Sequence, residues 1–310
     1  MITTVTLNAS IDKAYFMDRA IENGTVMRVA PCKNTAGGKG LNVARTVKLC
    51  GADVFATGFA GGFNGKYLEH LLTEDGIPHR FVEVAGETRS CINILDSRYH
   101  STEYLEPGFE LTEKDSEEFL RQFPELVKDS DVVTISGSIP KGTSSDIYFR
   151  LIQTAKHLGK KVLLDTSGEP LKQALKALPT LVKPNEKELE ALFQTSLHTV
   201  DELIACGRKL FDMGIPYVVI SLGQDGALLI CEAGVYQGRP PKVTAVNTVG
   251  CGDSMVGAFA VSLERNQSPA EALRYAVAVS TAKAMSPDTG AFDPKQCEKL
   301  SEQITMIKLD

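Results

Sequence analysis

The chain has 310 residues, 43% of them hydrophobic and 23% charged, which is enough for one large domain or two smaller ones. Its formal net charge of −6 at pH 7 argues against a general nucleic-acid-binding protein, because such proteins carry an excess of basic residues. No apolar run is long enough to span a bilayer, and no secretory signal opens the chain, so we expect a cytoplasmic protein with no membrane partner. The seven cysteines form no C-x-x-C pair, and we expect their thiols to be reduced.

Short apolar runs alternate with segments of helical period along the chain. The runs predict β-strands at residues 2–7, 131–136, 161–165, 181–183, 217–222 and 227–231. The helical periods predict helices at residues 41–50, 65–74, 112–128, 144–158, 185–193 and 200–213, and Thr112 with Asp115 is typical of a capping box. Runs such as VVTI are apolar on both faces, as in a parallel sheet covered by helices. The alternation therefore predicts an α/β fold, a three-layer α/β/α sandwich with a mostly parallel central sheet.

Two polar segments interrupt this alternation. Residues 15–33 and 89–104 contain short strand-like patches and predict a small β-lid, with irregular surface loops as the alternative. Residues 251–306 predict consecutive helices with no strand between them. We therefore expect a single domain over residues 1–310, with a lid subdomain formed by about residues 13–35 and 88–105.

A glycine cluster marks the first candidate binding site. Three of the four residues from Gly37 to Gly40 are glycine, and they precede a helical period, where free backbone N–H groups can bind an anion. The pattern is not a Walker A loop, because Lys39 is followed by glycine, and no G-x-G-x-x-G motif occurs. Taken alone, the cluster is more typical of a plain turn than of a binding site.

A second cluster combines glycines with a carboxylate. Gly250, Cys251 and Gly252 lead into a predicted helix with Asp253 in its first turn. The N–H groups there can form a concave anion site, and a carboxylate at its rim can accept the proton of an attacking hydroxyl. This arrangement suits phosphoryl transfer. The alternative is that Asp253 only stabilises the N-terminus of the helix.

Taken together, the motifs resemble the PfkB (ribokinase-like) sugar kinases over essentially the whole chain. They are, in order, residues 8–12 (NASID), 37–42 (GGKGLN), 136–140 (SGSIP), 183–188 (KPNEKE), 221–227 (SLGQDGA) and 250–253 (GCGD). The resemblance implies a ribokinase-like fold, ATP as co-substrate and Mg²⁺ as cofactor.

The resemblance also implies roles for individual residues. Asp253 would be the general base, and Gly250, Cys251 and Gly252 would supply the anion hole. The substrate side would consist of Asp12, Gly37, Gly38, Asn42 and Ser138. ATP would be bound by Lys183, Asn185, Ser221, Gly223 and Gly226, and the metal by Asn185 and Glu188 through water. Structural alternatives are a turn for Asp12, an ordinary tight turn between Leu222 and Ala227, and a solvated surface charge for Glu188. The family usually has Ala or Ser in place of Cys251, whose thiol would be sensitive to oxidation if exposed and acidified.

Within the family, the chain looks most like the phosphosugar branch of 1-phosphofructokinases and tagatose-6-phosphate kinases. A phosphorylated substrate needs cations, and Arg28, Lys39 and Arg89 are the candidates. The two arginines could instead be surface residues of the lid, and Lys39 could point to solvent. We therefore expect a kinase that converts fructose 1-phosphate or tagatose 6-phosphate to the bisphosphate, as a homodimer formed through the lid. The alternatives are a kinase of an unphosphorylated sugar or a nucleoside, and a non-catalytic nucleotide or sugar-phosphate sensor.

Overall fold

Two β-sheets form the framework of the computed structural model, which describes residues 1–29, 31–98 and 100–310. The strands are β1 (Ile2–Thr6), β2 (Ser10–Phe16), β3 (Cys32–Gly37), β4 (Val54–Ala60), β5 (His79–Glu83), β6 (Arg89–Leu95), β7 (Ser101–Leu105), β8 (Val132–Ser136), β9 (Lys161–Asp165), β10 (Leu181–Val182), β11 (Tyr217–Ser221), β12 (Ala227–Cys231), β13 (Gly234–Arg239) and β14 (Thr305–Lys308). The helices are α1 (Lys39–Leu49), α2 (Gly62–Glu74), α3 (Glu113–Val127), α4 (Ile147–His157), α5 (Gly168–Leu175), α6 (Glu186–Phe193), α7 (Val200–Asp212), α8 (Cys251–Glu264), α9 (Pro269–Ala284) and α10 (Pro294–Gln303).

The main sheet has ten strands in the order β14-β13-β12-β11-β10-β9-β8-β1-β4-β5. The strands from β11 to β5 run parallel to their neighbours, and β12, β13 and β14 are added antiparallel at one edge. Each parallel connection passes through a helix or a longer excursion, as parallel pairing requires. The expected mostly parallel central sheet is confirmed.

The central strands of the main sheet are buried on both faces, which is why they are mostly apolar. On one face the core is formed with α1, α2, α8, α9 and α10, and on the other with α3, α4, α5, α6 and α7. Adjacent strand residues therefore enter different cores: Val132 packs on the first face and Val133 on the second. The three-layer α/β/α sandwich expected from the sequence is confirmed.

A four-stranded sheet in the order β3-β2-β6-β7 lies beside the main sheet, and we call it the lid sheet. Its strands extend beyond the predicted segments, because β2 begins at Ser10 and β3 ends at Gly37. The middle of the first segment is not strand: residues 17–29 form turns and irregular backbone. The predicted segments also include positions 30 and 99, which lie outside the described residues.

Every helix and strand predicted within the main domain is present, with ends that agree within three residues. The capping box of Thr112 and Asp115 is confirmed, with the Thr112 side chain accepting from the backbone N–H of Asp115. The sequence did not predict β4, β5, β13, β14 or α5. The prediction of helix up to residue 306 was wrong at its end, because Thr305 begins β14, which pairs with β13. Among the described residues, no helix is both long and apolar enough to cross a membrane.

Candidate active site

A cavity of about 440 Å³ opens between the lid sheet and the main sheet. Asp165 at the end of β9, Lys183 just after β10 and Ser221 at the end of β11 line one part of it. Residues of β2 and β6 line the opposite part. The cavity therefore lies at the carboxyl edge of parallel strands, the usual position of a ligand site in open α/β sheets.

Asp253 lies in the first turn of α8 and lines the cavity, although it is only 6% exposed. The residue before this helix, Gly250, has a φ of 84°, a left-handed conformation that glycine adopts without strain. Burial raises the pKa of the Asp253 carboxyl to about 6, against the opposing effect of the nearby Lys39 ammonium. A buried carboxyl with this pKa is mostly ionised at neutral pH and can accept a proton.

Asn42 on α1 holds the Asp253 carboxylate, and Arg45, one turn later on the same helix, holds the Asn42 side chain. The Asn42 side-chain Nδ2 donates to Oδ2 of Asp253 over 2.9 Å. Arg45 Nη1 donates to Oδ1 of the same amide over 3.3 Å and to the Thr289 carbonyl over 3.1 Å, while its Nη2 donates to the Ala36 carbonyl over 2.6 Å. Sequence reasoning missed Arg45, because its position one helical turn after Asn42 is a weak signal by itself.

Free backbone donors surround the start of α8. In the described chain, the N–H groups of Gly250, Gly252 and Asp253 donate to no protein group, whereas Cys251 N–H donates to the Thr248 carbonyl over 3.2 Å. The free N–H groups and the helix dipole make this end of the cavity suitable for an anion. Burial raises the pKa of the Cys251 thiol to about 11, so the condition for oxidation sensitivity, an acidified thiol, is not met.

Asp165 holds two lysines at the cavity wall, and sequence reasoning missed it. Lys39 Nζ lies 3.4 Å from Oδ2 of Asp165, and Lys183 Nζ lies 3.4 Å from Oδ1. Burial opposes the ionisation of Asp165, but the ammonium groups of Lys183 and Lys39 outweigh it and lower its pKa. Asp165 in turn raises the pKa of Lys39. Lys39 therefore does not simply point to solvent, and its ammonium group is stabilised beside the cavity.

Asp12 and the glycines of the first motif meet at the base of the lid sheet. Asp12 is a β2 residue rather than a turn residue; it lines the cavity and accepts a hydrogen bond of 2.6 Å from Ser10 Oγ. Burial raises the pKa of its carboxyl. A Cβ on Gly37 would overlap the Asp12 carboxylate, so a larger residue there would displace the Asp12 side chain, and Gly38 also lines the cavity.

Among the described residues, no carboxylate accepts a hydrogen bond from Arg89. Its Nη1 donates to the Glu106 carbonyl over 3.1 Å and its Nη2 to the Asn8 carbonyl over 3.0 Å. Ser138 does not line the cavity, but its Oγ accepts from Asn8 Nδ2 over 3.2 Å. Arg28 lies on an exposed loop and does not line the cavity, so its proposed role stays a prediction.

Lys183, Asn185, Glu188 and Ser221 line the cavity, whereas Gly223 and Gly226 do not. Asn185 and Glu188 form a capping box at the start of α6, with hydrogen bonds of 2.9 Å in each direction between side chain and backbone N–H. The described residues contain no group of three or more His, Cys, Asp or Glu that could hold a metal ion. A hydrated Mg²⁺ needs only one or two carboxylates beside nucleotide phosphates. Glu188 fits that need: its Oε2 accepts from the Asn185 N–H, and its Oε1 accepts no hydrogen bond from the described chain.

Comparison with known proteins identifies the family. The model of the pfkB family carbohydrate kinases matches residues 5–296. The chain is 38% identical over the full length of both chains to tagatose-6-phosphate kinase of Staphylococcus epidermidis, and 37% identical to 1-phosphofructokinase of Bacillus subtilis over 94% of each. It also resembles Escherichia coli phosphofructokinase-2 in complex with substrates and products, at 32% identity and a TM-score of 0.91 over 97% of this chain and 98% of that one.

These matches confirm the expected phosphotransferase acting on an alcohol group. They agree with a cavity that places a buried carboxylate, Asp253, beside free backbone donors at the start of α8. The chain therefore belongs to the pfkB family of carbohydrate kinases.

Proposed function

We propose that the protein transfers the γ-phosphoryl group of ATP to a hydroxyl of a ketohexose monophosphate and forms the bisphosphate. The observation that carries this proposal is the pairing of two features in one cavity. Asp253 and the free N–H groups of α8 lie on the main-sheet side of the cavity. Arg89 lies on the lid side, and within the described chain its guanidinium group donates to backbone carbonyls and to no carboxylate. The names of the two curated relatives, both phosphosugar kinases, support the acceptor class.

Asp253 acts as the general base in this proposal. The sugar hydroxyl attacks the γ-phosphorus, its proton passes to Oδ1 of Asp253, and the bond from the γ-phosphorus to the bridging oxygen breaks to release ADP. The N–H groups of Gly250 and Gly252 stabilise the negative charge on the transferred group. Cys251 contributes through its place in this turn rather than through its thiol.

The nucleotide phosphates lie against the lysine pair in this proposal. Lys39 and Lys183, held by Asp165, supply two positive charges at that wall, and Ser221 lies beside them at the end of β11. Asn185 and Glu188 would hold Mg²⁺ through water, and the ion when bound would offset phosphate charge. Gly223 and Gly226 form the tight turn after β11 and contribute through its shape.

The acceptor lies between α1 and the lid sheet. Asp12 and Asn42 would bind the sugar hydroxyls, Gly37 and Gly38 let the ring approach the backbone, and Arg89 would bind the existing phosphate. We propose that one domain over residues 1–310 carries this site. Its lid, formed by about residues 13–35 and 88–105, would close over the substrate and exclude water as a competing acceptor.

The lid sheet is also the proposed dimer interface. Tyr104 and Leu105 on its edge strand β7 are 59% and 64% exposed, and a partner would cover them together with the strand edge. A tetrameric inhibited form is known for the Escherichia coli phosphofructokinase-2. The cytoplasmic location stays a prediction.

A direct comparison of acceptors tests the function. ADP formation is measured with fructose 1-phosphate, tagatose 6-phosphate, ribose and adenosine, and Asp253→Asn serves as the matched inactive control. One charge-assisted contact to the phosphate is worth about 10–150-fold, so a phosphosugar should exceed ribose and adenosine in kcat/KM by at least about tenfold. Faster turnover of ribose or adenosine would establish an unphosphorylated acceptor. ATP binding without transfer to any acceptor would indicate a sensor.

A further inference from the structure

Lys283 is a buried lysine that the reaction described above does not use. It lies in the last turn of α9, its residue is 0% exposed, and it does not line the cavity. Within the described chain its Nζ donates one hydrogen bond, 2.8 Å long, to the backbone carbonyl of Asn247. Burying a lysine is unfavourable unless other groups compensate for the lost hydration, so a lysine here calls for a reason beyond packing.

Asn247 begins the segment of residues 247–250 that ends at the start of α8, and we call this segment the nest loop. Its backbone N–H donates to the Ala284 carbonyl at the end of α9 over 3.1 Å. Its side chain shapes the loop, since Oδ1 accepts from Val249 N–H over 3.0 Å and Nδ2 donates to the Pro287 carbonyl over 2.9 Å. Lys283 therefore binds the residue on which the conformation of the nest loop depends.

Near Lys283, α9 packs against the first turn of α8: Ser280 Oγ donates to the backbone carbonyl of Cys251 over 3.1 Å. Burial lowers the pKa of Lys283, and the neighbouring Cys251, Asp288 and Asp253 oppose this shift. Two of these neighbours, Cys251 and Asp253, belong to the first turn of α8. A positive charge behind a helix N-terminus adds to the potential that its N–H groups present to an anion, and weak screening inside the protein strengthens the effect.

We propose that Lys283 is a positioning residue for phosphoryl transfer, which fixes the nest loop and places a buried positive charge behind the free N–H groups of Gly250 and Gly252. The inference rests on the proposed function, because it concerns the same step. Negative charge at the nest is greatest in the transition state, so Lys283 should act on kcat and leave substrate binding nearly unchanged. A purely structural lysine would instead act on stability.

Lys283→Met separates the two roles, because methionine is unbranched and neutral and fills a similar space. We expect kcat to fall about 10–100-fold, somewhat less than the loss of a direct oxyanion donor, while the KM values for ATP and phosphosugar stay within about threefold. The Tm should stay equal or rise, because an apolar group in place of a buried charge is often neutral or stabilising. Lys161→Met is the matched control, since Lys161 Nζ caps the Leu263 carbonyl over 2.7 Å at the opposite end of α8. Its kcat should equal that of the wild type.

Rescue by a small cation provides the second readout. Lys283→Ala opens a space into which added ammonium or methylammonium can bring back a positive charge, so part of the lost kcat should return at constant ionic strength, and none in Lys283→Met. The proposal is overturned if Lys283→Met keeps more than half of the wild-type kcat, or if its kcat and Tm fall together without rescue of Lys283→Ala. A wild-type protein that phosphorylates no phosphosugar would overturn the proposed function and this inference with it, which the wild-type assay reveals first.

Discussion

Asn42 and Asp253 lie 211 positions apart in the sequence, yet Nδ2 of Asn42 donates to Oδ2 of Asp253 over 2.9 Å. Arg45 donates to the amide oxygen of Asn42, so the NH₂ group must face the carboxylate. Oδ1 of Asp253 accepts no hydrogen bond from a side chain in the described ranges, which leaves it facing the cavity as the proton acceptor. The arrangement therefore leaves one defined oxygen of the Asp253 carboxylate, Oδ1, to accept the proton.

Asp253→Asn should abolish most of the phosphoryl transfer, because the amide cannot accept the proton of the sugar hydroxyl. A positioned general base contributes about 10²–10⁴-fold to the rate. Steady-state kcat should fall by that factor, while ATP affinity measured by calorimetry stays within about threefold. A variant with more than a tenth of the wild-type kcat would contradict the role of Asp253.

The same substitution should stabilise the fold at neutral pH. The folded chain binds the Asp253 proton with a pKa of about 6, above the ordinary value of 3.8, so ionisation costs the folded state free energy as the pH rises. Asparagine removes that cost. The Tm of Asp253→Asn should exceed that of the wild type at pH 7, and the difference should vanish near about pH 4, where the carboxyl is protonated in the folded wild type. If the Tm of Asp253→Asn is lower than that of the wild type at pH 7, burial does not make ionisation of Asp253 unfavourable in the folded protein.

The pH profile of kcat/KM should show an acid limb with an apparent pKa of about 6, because activity is lost as Asp253 becomes protonated. A sugar phosphate also titrates near about pH 6, so the wild-type profile alone does not assign the limb. Asn42→Ala removes a hydrogen bond that lowers the Asp253 pKa, and the limb should move to higher pH. An unmoved limb would assign the titration to the substrate.

Arg89→Ala should raise the KM for the phosphosugar far more than the KM for ATP. One charge-assisted hydrogen bond is worth about 1.5–3 kcal/mol, or roughly 10–150-fold. Arg19→Ala, an exposed arginine of the loop between β2 and β3, is the matched control and should change neither constant. Arg28→Ala in the same assay tests the role predicted for Arg28. Equal effects of Arg89→Ala on both substrates would indicate a role in folding instead.

The lid sheet should exchange its amide hydrogens faster than the main sheet in the ligand-free protein. Its tie to the rest of the chain includes an exposed ion pair of 2.7 Å between Lys33 and Asp288, and exposed pairs of this kind contribute little. Sugar phosphate should slow exchange in β2 and β6. If both strands already exchange as slowly as β11 without ligand, the lid does not open and the pocket is preformed.

The sequence alone determined the layered α/β architecture, because strands buried on both faces are mostly apolar. It also located the start of α8 and the lysine-glycine loop, because the ordered motifs taken together, rather than either glycine cluster alone, resemble one family. It did not reveal β13 or β14. These strands carry polar and apolar residues without a clear period. Their pairing makes them strands: β13 pairs with β12 and with β14, and β14 comes from a distant part of the sequence.

The tertiary structure decided which of the many charged residues belong to the site. Asp165, Arg45 and Lys283 each lie in ordinary strand or helix patterns, and nothing local distinguishes them from surface charges. Folding brings Asp165 between two lysines, Arg45 against the Thr289 carbonyl and Lys283 beneath the nest loop. Burial and long-range pairing give these groups their roles, and both depend on distances between residues far apart in the chain, which a one-dimensional pattern does not contain.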